Sequence, residues 1–468
     1  MPNLRSLAAG AAVLAALFVV PRVAVAQTGD PARPDVLVVG GTPAGVAAAI
    51  AAARRGERVT LVSAGDGLAG VLGDGMMDQW DLNLAPGGAP VESGIFTEIF
   101  DRLGESFSPQ TAAEVFAQMV AAEPRVAVVY DEQPVAVTSP LGFGDVVVES
   151  VTFQNSETHA RSTIGAPFVI DATDNGDVAV LAGARYDLGR QDAGVDERMQ
   201  PVTLMFTLDG VDWPRVESTY DPLRYGPGGT TDRNAWGYHD LMAAYQPRSA
   251  RVLVPDLNLG RLHDGEVSVN AIDVLGINGL DPKQLDLARR VTLREAPHLV
   301  AYLRAKLPGF ENARIGRFAS EVYVRETRHI AGLERLAADD IWRGKIPADT
   351  IGLASYPIDI HPVVATDKSA YAPQRHVYGI PFGAMVPKGL TNLLIASPAI
   401  SATHLAAGSA RTIPTTIEEG EAAGAACALA LKENIDFLQL AQQPDLIAEL
   451  RGDLVAAGVL LSGSLRRG

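Results

Sequence analysis

The sequence predicts an α/β protein: a parallel sheet flanked by helices, with a β-meander set into it and a second, α+β lobe inserted between its parts. Three observations carry this. Val36-Leu37-Val38-Val39 runs straight into Gly40-Gly41-Thr42-Pro43-Ala44-Gly45 and an Ala-rich stretch, the pattern of a buried strand, a tight turn and a helix. Similar apolar runs return at 57–62, 168–173 and 393–396, far apart in the chain. Between 209 and 265 the periodicity weakens and Gly, Pro, Tyr and Trp accumulate, the mark of a separate lobe with long loops.

The first of these stretches reads as Rossmann-like. A strand, a glycine turn and a helix N-terminus place converging backbone N–H groups and the positive end of a helix dipole where a pyrophosphate can sit. Gly40 and Gly45 fit the glycine fingerprint, with Gly45 allowing close packing of helix on strand; Thr42 stands at the middle position. At the end of the second strand, where a ribose-binding carboxylate is expected, the residue is Ser63, and the nearest acids are Asp66 and Asp74. Next, 67–76 holds four glycines in ten residues, which predicts backbone lying close to a flat ligand or, alternatively, a turn-rich surface loop.

Helices are expected over 91–103 and 109–122. The period then changes, predicting short strands at 126–130, 135–138, 146–153 and 160–164, with Ser139-Pro140-Leu141-Gly142 as a turn. The aromatics Trp213, Tyr220, Tyr225, Trp236 and Tyr238 line a pocket in one reading and pack the lobe's own core in the other. A helix is expected over 281–307 and a strand over 318–328. After 393–396 comes a polar loop at 401–411, then a long Ala/Gly helix over 414–431 that Thr415 or Thr416 would cap. Its N-terminus would favour negative charge developing on a bound ligand. The expected organisation is a dinucleotide-binding domain over 35–205 and 386–434, a substrate lobe over 206–385 and a C-terminal helical tail over 435–468.

Residues 1–26 have the layout of a signal peptide: Arg5, an apolar stretch from 7 to 20, and Ala24-Val25-Ala26 before the expected cleavage. The expectation is an exported protein, periplasmic or secreted, with no membrane span in the mature chain. The formal net charge of −16 becomes more negative when Arg5 and Arg22 leave, and it argues against nucleic acid and anionic membrane surfaces as partners. Cys427 is the only cysteine, so an intramolecular disulfide, a thiol redox pair and a thiolate metal site are excluded. The eight histidines show no metal-ligand spacing, and no Gly-x-Ser-x-Gly elbow occurs.

With these residues in view, the chain resembles the FAD-dependent oxidoreductases of the class with two dinucleotide-binding motifs. The blocks behind the resemblance run from DVLVVGGTPAG through Gly70 to Met76, Ile170-Asp171-Ala172-Thr173 with Gly176-Asp177, Met199-Gln200-Pro201, Val324-Arg325-Glu326-Thr327-Arg328, Tyr356-Pro357-Ile358-Asp359-Ile360-His361, and Tyr378-Gly379-Ile380-Pro381-Phe382, to Ser401-Ala402-Thr403-His404, Gly408-Ser409-Ala410-Arg411 and Gly420-Glu421-Ala422-Ala423-Gly424. The resemblance covers 35–434. It implies a discontinuous FAD domain, and a hydride passing between the carbon of a small-molecule substrate and flavin N5, with an electron acceptor that the sequence does not identify. It places FAD at Gly40, Gly41, Thr42, Pro43, Ala44, Gly45, Ser63, Gly70, Val135, Ala172, Thr173, Asp177, Ser409 and Thr415. Ser397-Pro398 and Leu405 depart from the family pattern, where Gly-Arg and an acid are common. They keep open a second reading, a catalytically impaired flavin-binding protein that carries electrons or binds a partner; NAD bound without FAD is a third.

Four side chains are the candidates for chemistry. His404 lies between a buried strand and the expected cofactor-facing helix, as a general base or as a structural hydrogen-bonding group. His361 follows Asp359 by two positions, so in an extended segment the two point the same way, and the carboxylate would raise the basicity of the imidazole. Arg411 would hold an anionic substrate or the flavin's carbonyl edge, or pair with Glu418. Arg328 and Arg325 flank Glu326 and would clamp a carboxylate or bridge the lobes. Tyr356 and Tyr378 are possible proton donors, with core packing as the alternative.

Overall fold

The computed structural model describes residues 33–140, 144–263, 265–367, 370–372 and 376–461. The expected signal segment 1–26, Leu141 and Gly142 of the expected turn, and the last seven residues lie outside these.

The parallel sheet is present. Strand β1 (Val36–Val39) lies at its centre, paired with β2 (Val59–Val62) on one side, where Val36 faces Val59, and with β7 (Phe168–Asp171) on the other, where Val36 faces Phe168. β3 (Val126–Val129) extends the sheet beyond β2, and Leu393–Ile395 extends it beyond β7. All four strand pairs are parallel. β1, β2, β7 and Leu393–Ile395 are buried throughout, which is why they read as unbroken apolar runs rather than as alternation.

The strand expected over 126–130 as the first of the meander instead joins the parallel sheet as β3, and three strands form the meander between β3 and β7: β4 (Glu132–Thr138), β5 (Ser150–Asn155) and β6 (Arg161–Gly165), each antiparallel to the next. The strand expected over 146–153 begins only at Ser150. Val146 instead bridges to Leu390, and Val148 exchanges hydrogen bonds with the Asn392 side chain. The strand expected from 135 begins at Glu132, because Pro134 is accommodated at a break in register between 134 and 136, the bulge position at which a strand tolerates proline.

The lobe is a six-stranded antiparallel sheet, in the spatial order Gly229–Thr230, Asn234–Gly237, Leu257–His263, Glu266–Asn270, Phe206–Asp209, Arg314–Phe318. The helix Pro282–Lys306 covers it, started by Asp281, whose side chain accepts from the Lys283 N–H. Trp213, Tyr225 and Tyr238 are fully buried in the lobe's core, Tyr220 stacks against two of them, and Trp236 faces solvent. Core packing is therefore the reading that Trp213, Tyr220, Tyr225 and Tyr238 satisfy, and Trp236 satisfies neither. This core draws on residues from Val202 to Val324, although Leu204, Met205 and Ala319 join the cluster around the parallel sheet, as do most apolar side chains from Ile330 onward. Residues 206–385 thus contribute to two cores. Arg328–Ile330 pairs with Tyr186–Leu188, and Thr350–Ala354 with Tyr378–Pro381.

Helix α1 (Pro43–Arg54) and the helix Ile413–Glu433 pack face to face. α1 is rich in alanine on its buried side, and Gly420 brings the second helix so close that a Cβ there would lie 2.1 Å from the Ala44 carbonyl oxygen. Phe437–Ala441 and Pro444–Ala456 complete the expected helical tail and bury Phe437, Leu440, Leu450 and Leu454 against the same core. Because the carbonyl Gly420 abuts is backbone, Gly420→Ala must push the helices apart. We expect a loss of about 1–3 kcal/mol, the usual cost of overpacking, read as a lowered denaturant midpoint.

Candidate active site

The two close-packed helices open their N-termini onto one cavity of about 440 Å³. At α1 the side chain of Thr42 caps the helix by accepting from the Gly45 N–H at 3.1 Å, and its hydroxyl donates to the Ala172 carbonyl at 3.0 Å. Thr42 thus turns its hydroxyl into the fold, while Thr42, Pro43 and Ala44 line the cavity. The second helix starts at Ile413 with Pro414 in its first turn, a position where a missing N–H costs nothing; Thr412, Ile413 and Thr416 face the cavity. Gly70, Val71 and Gly75 supply a third wall and the segment 320–327 a fourth. Free N–H groups of two helix first turns, beside a glycine-rich wall, suit the phosphates and flat ring system of FAD. The residues present therefore fit the cofactor, held at the first turn of α1, the loop from Gly70 to Gly75, and the first turn of Ile413–Glu433.

The other expected cofactor contacts are distributed differently. Gly40, Gly41 and Gly45 form the turn behind the cavity: Gly40 has a φ of +126°, Gly41 packs on Ser63, and a Cβ on Gly45 would meet the Gly40 carbonyl at 1.9 Å. Ser63 is buried and donates to the Gly67 carbonyl at 2.8 Å. Val135 sits half-buried at the break in the β4 ladder. The Thr173 hydroxyl lies between Asp171 Oδ1 at 2.6 Å and the Asp177 N–H at 2.8 Å. Ser409 is fully buried between Tyr378 and the Tyr356 carbonyl, and Thr415 between Asn83 and Thr412. Ser63, Val135, Ala172, Thr173, Asp177, Ser409 and Thr415 do not line this cavity; Asp174 and Asn175, one and two positions past Thr173, do.

Of the four candidates for chemistry, only Arg411 reaches the cavity wall. Arg328 turns away to bind Asp177 Oδ1 at 2.6 Å and the Asn175 carbonyl at 3.1 Å, tying the lobe's exit strand to the sheet. The expected Arg325–Arg328 clamp is thereby split. Arg325 lines the cavity but is buried, bound to Thr203 and the Pro201 carbonyl and 3.3 Å from Asp273. His404 is buried behind Glu326, donating from Nδ1 to Glu326 Oε1 at 2.6 Å; His329 donates to the same oxygen at 2.9 Å. Burial pushes the Glu326 carboxyl up, but hydrogen bonds from His329 and His404 outweigh it and hold it at about 2. Glu326 lines the cavity and His404 does not, so His404 acts on the cavity only through this carboxylate.

His361 also stands one layer back. Its main partner is Asp273, 2.6 Å from Nδ1, and the expected partner Asp359 is 3.6 Å from Nε2. Burial and the Arg325 cation push the imidazole down, but the two carboxylates prevail and raise it to about 9. At neutral pH His361 is an imidazolium, so the expected general base has no free acceptor nitrogen there. Asp359 in turn is held at about 2: burial opposes this, and His361 and Arg411 outweigh it. Asp359 Oδ2 is 3.8 Å from Arg411. The expected Arg411–Glu418 pair does not form; Glu418 accepts instead from Ser93 and from the Leu353 N–H.

The residue that reading the sequence missed is Asp81. It lines the cavity and is exposed there, with protein packed round the cavity mouth on which it stands. Burial raises its carboxyl above the ordinary value, an effect the Arg411 cation opposes and Asp359 adds to. The Tyr356 hydroxyl donates to Asp81 Oδ1 at 3.1 Å. A signal existed in Asp78-Gln79-Trp80-Asp81-Leu82-Asn83, two acids and an asparagine directly after the glycine-rich stretch. Tyr323, which accepts from Arg411 Nη1 at 2.7 Å, was likewise missed. Tyr378, by contrast, is buried against Ser409, and burial pushes its hydroxyl well up.

Because the His361 imidazole is raised in the folded state, its ion pairs stabilise the fold fully below the ordinary histidine value of 6.5, and that contribution is lost as pH rises through about 9. The difference in melting temperature between the native protein and His361→Gln is expected to be largest near pH 6 and to shrink towards pH 10; a difference that grows with pH would contradict this assignment.

Solved structures similar to this chain include a p-nitrophenol 4-monooxygenase from Pseudomonas putida DLL-E4, at 12% identity over 90% of this chain and 84% of that one, with a TM-score of 0.43. A flavin-dependent brominase is 10% identical over 90% and 84%, TM-score 0.45. A geranylgeranyl bacteriochlorophyll reductase-like protein from Thermoplasma acidophilum is 13% identical over 91% and 83%, TM-score 0.41. None of the curated protein sequences matches the chain. The family model for FAD dependent oxidoreductases matches residues 35–454, nearly the whole of the chain beyond its first 34 residues, and on that match this protein belongs to the FAD-dependent oxidoreductase family, with FAD as its cofactor.

Proposed function

We propose that this protein oxidises a small polar molecule in the cavity between the two helix N-termini, with Asp81 as the proton acceptor and Arg411 and Tyr323 as binding groups. The observation that carries this is the joint exposure of Asp81 and Arg411 on the same cavity wall system as the first turns of both helices. When bound, FAD supplies the oxidising power, accepting a hydride from a substrate carbon at N5. The protein's own task is placement and proton transfer. Asp81 is open to the cavity, and burial shifts its carboxyl towards neutral pH, the direction that improves a carboxylate as a base. Arg411, held between Tyr323 and Asp359, fixes a polar group of the substrate. Of the departures from the family pattern, Ser397 and Pro398 line the same cavity, and Leu405 lies outside it and is exposed. The segment 1–26 supports action after export.

The purified protein should be yellow and release FAD on acid precipitation. In a screen that follows loss of flavin absorbance, Asp81→Asn should keep its flavin but reduce it about 10²–10⁴-fold more slowly, the usual worth of a positioned base. Because the base must be deprotonated, the native rate should rise with pH through a value above that of an ordinary aspartate, and Asp81→Asn should lose this rise. Flavin reduction at the native rate in Asp81→Asn would remove Asp81 from the mechanism.

A further inference from the structure

One side chain fixes the Asp81 carboxylate. Among the described residues, the Tyr356 hydroxyl is the group that hydrogen-bonds it, donating to Oδ1 at 3.1 Å. Oδ2 takes no such bond. The charged and titratable neighbours act from further off: Arg411 and Arg325 favour the ionised carboxylate, Asp359 disfavours it, and Asp81 in turn bears on Tyr371. A charge at a distance shifts a titration but does not set the rotation of a carboxylate, whereas a directional hydrogen bond does both.

Tyr356 is itself held at three points. Its N–H donates to Asn83 Oδ1 at 2.6 Å, its carbonyl accepts from Ser409 Oγ at 2.5 Å, and its hydroxyl meets Asp81. Pro357 follows it and confines its backbone to the extended region. Asn83 is fully buried and engages all of its polar groups. Its Oδ1 accepts from the N–H groups of Ser355 and Tyr356, its Nδ2 donates to Glu92 and Thr415, its N–H donates to Glu92, and its carbonyl accepts from Val91. Asn83 stands two positions after Asp81, so these contacts close a ring: along the chain from Asp81 to Asn83, across to the Tyr356 backbone, and back through the tyrosine ring to Asp81. The bond to Thr415 ties this ring to the first turn of the helix Ile413–Glu433, the turn that faces the cavity.

We propose that Tyr356 is a positioning residue for proton transfer: its hydroxyl occupies Asp81 Oδ1 and turns Oδ2 towards the cavity as the oxygen that takes the substrate's proton. This rests on the oxidation reading given above, in which Asp81 is the proton acceptor. Burial and the nearby Asp81 and Asp359 charges push the Tyr356 hydroxyl well up, so it stays protonated and donates throughout the working range. Its hydrogen bond favours the ionised carboxylate, and its removal therefore moves the Asp81 titration upward.

The test follows the Asp81 carboxyl itself, by infrared difference spectra of the flavin-loaded protein as pH is varied; its band is the one missing from Asp81→Asn. Tyr356→Phe removes one oxygen atom and keeps the ring and the backbone contacts to Asn83 and Ser409. In it the band should titrate about one pH unit higher, the worth of a single hydrogen bond to a charged group at a partly exposed site, with flavin content and melting temperature close to native. With a reducing substrate from the screen, flavin reduction at saturation should be about tenfold slower below the rise of the pH profile and much less affected above it, a pattern that a purely structural role would not produce. An unmoved titration in Tyr356→Phe overturns the inference, as does loss of its flavin, since Tyr356 would then serve the cofactor. If the titration stays while Asp81→Asn is slow, the inference falls and the oxidation reading stands. If the titration moves while Asp81→Asn reduces its flavin at the native rate, the hydrogen bond stands and the oxidation reading falls.

Discussion

The close approach of two helices at the end of one parallel sheet is the constraint on which the site depends. Ala-rich α1 and the helix Ile413–Glu433 meet closely because Gly420 sits on the Ala44 backbone and Gly424 on that of Ala48. That contact brings together two first turns that come from opposite ends of the chain. Each first turn carries unpaired N–H groups and the positive end of a dipole, so their convergence creates a region that favours phosphate and electron-rich ring edges before any charged side chain is considered. A larger residue at Gly420 would separate the turns, and the cofactor-binding wall would open with them.

Around this frame the protein arranges its buried charges in layers. Asp273, His361, Asp359 and Arg411 alternate in sign from the lobe towards the cavity, with separations of 2.6, 3.6 and 3.8 Å. The tight end is closed to ligands: Asp273 is shared among His361, Arg325 and Thr203. The loose end is Arg411, which lines the cavity. A second layer sets His404 and His329 on one oxygen of Glu326. Both histidines are therefore supports for a carboxylate, and the cavity meets Glu326, Arg325 and Arg411 rather than an imidazole.

The parallel strands, the glycine turn and the long Ala/Gly helix were legible in the sequence because each is a local property. A buried parallel strand must be apolar on both faces, and a turn that packs helix on strand must use glycine. Thr42 illustrates the limit. Its identity suggests a lost glycine, whereas its position shows a threonine capping α1 and bonding Ala172, contacts that depend on a strand 130 residues away. The meander was legible as a change of period, but its register shifted because Pro134 and Asn392 impose constraints from outside the pattern.

What the sequence determined alone is the fold class, the family and the cofactor, since strand periodicity, glycine spacing and motif order are written along the chain. What only the tertiary structure decided is which polar side chain meets the cavity. Arg325 and Arg328 are three residues apart and face different partners; His361 and Asp359 are two apart, yet Asp273 holds the imidazole more closely. Asp81 and Arg411, 330 positions apart in the chain, share one space. Charge pairing is settled by distances of a few ångströms between elements that folding brings together, and no local pattern of residues encodes them.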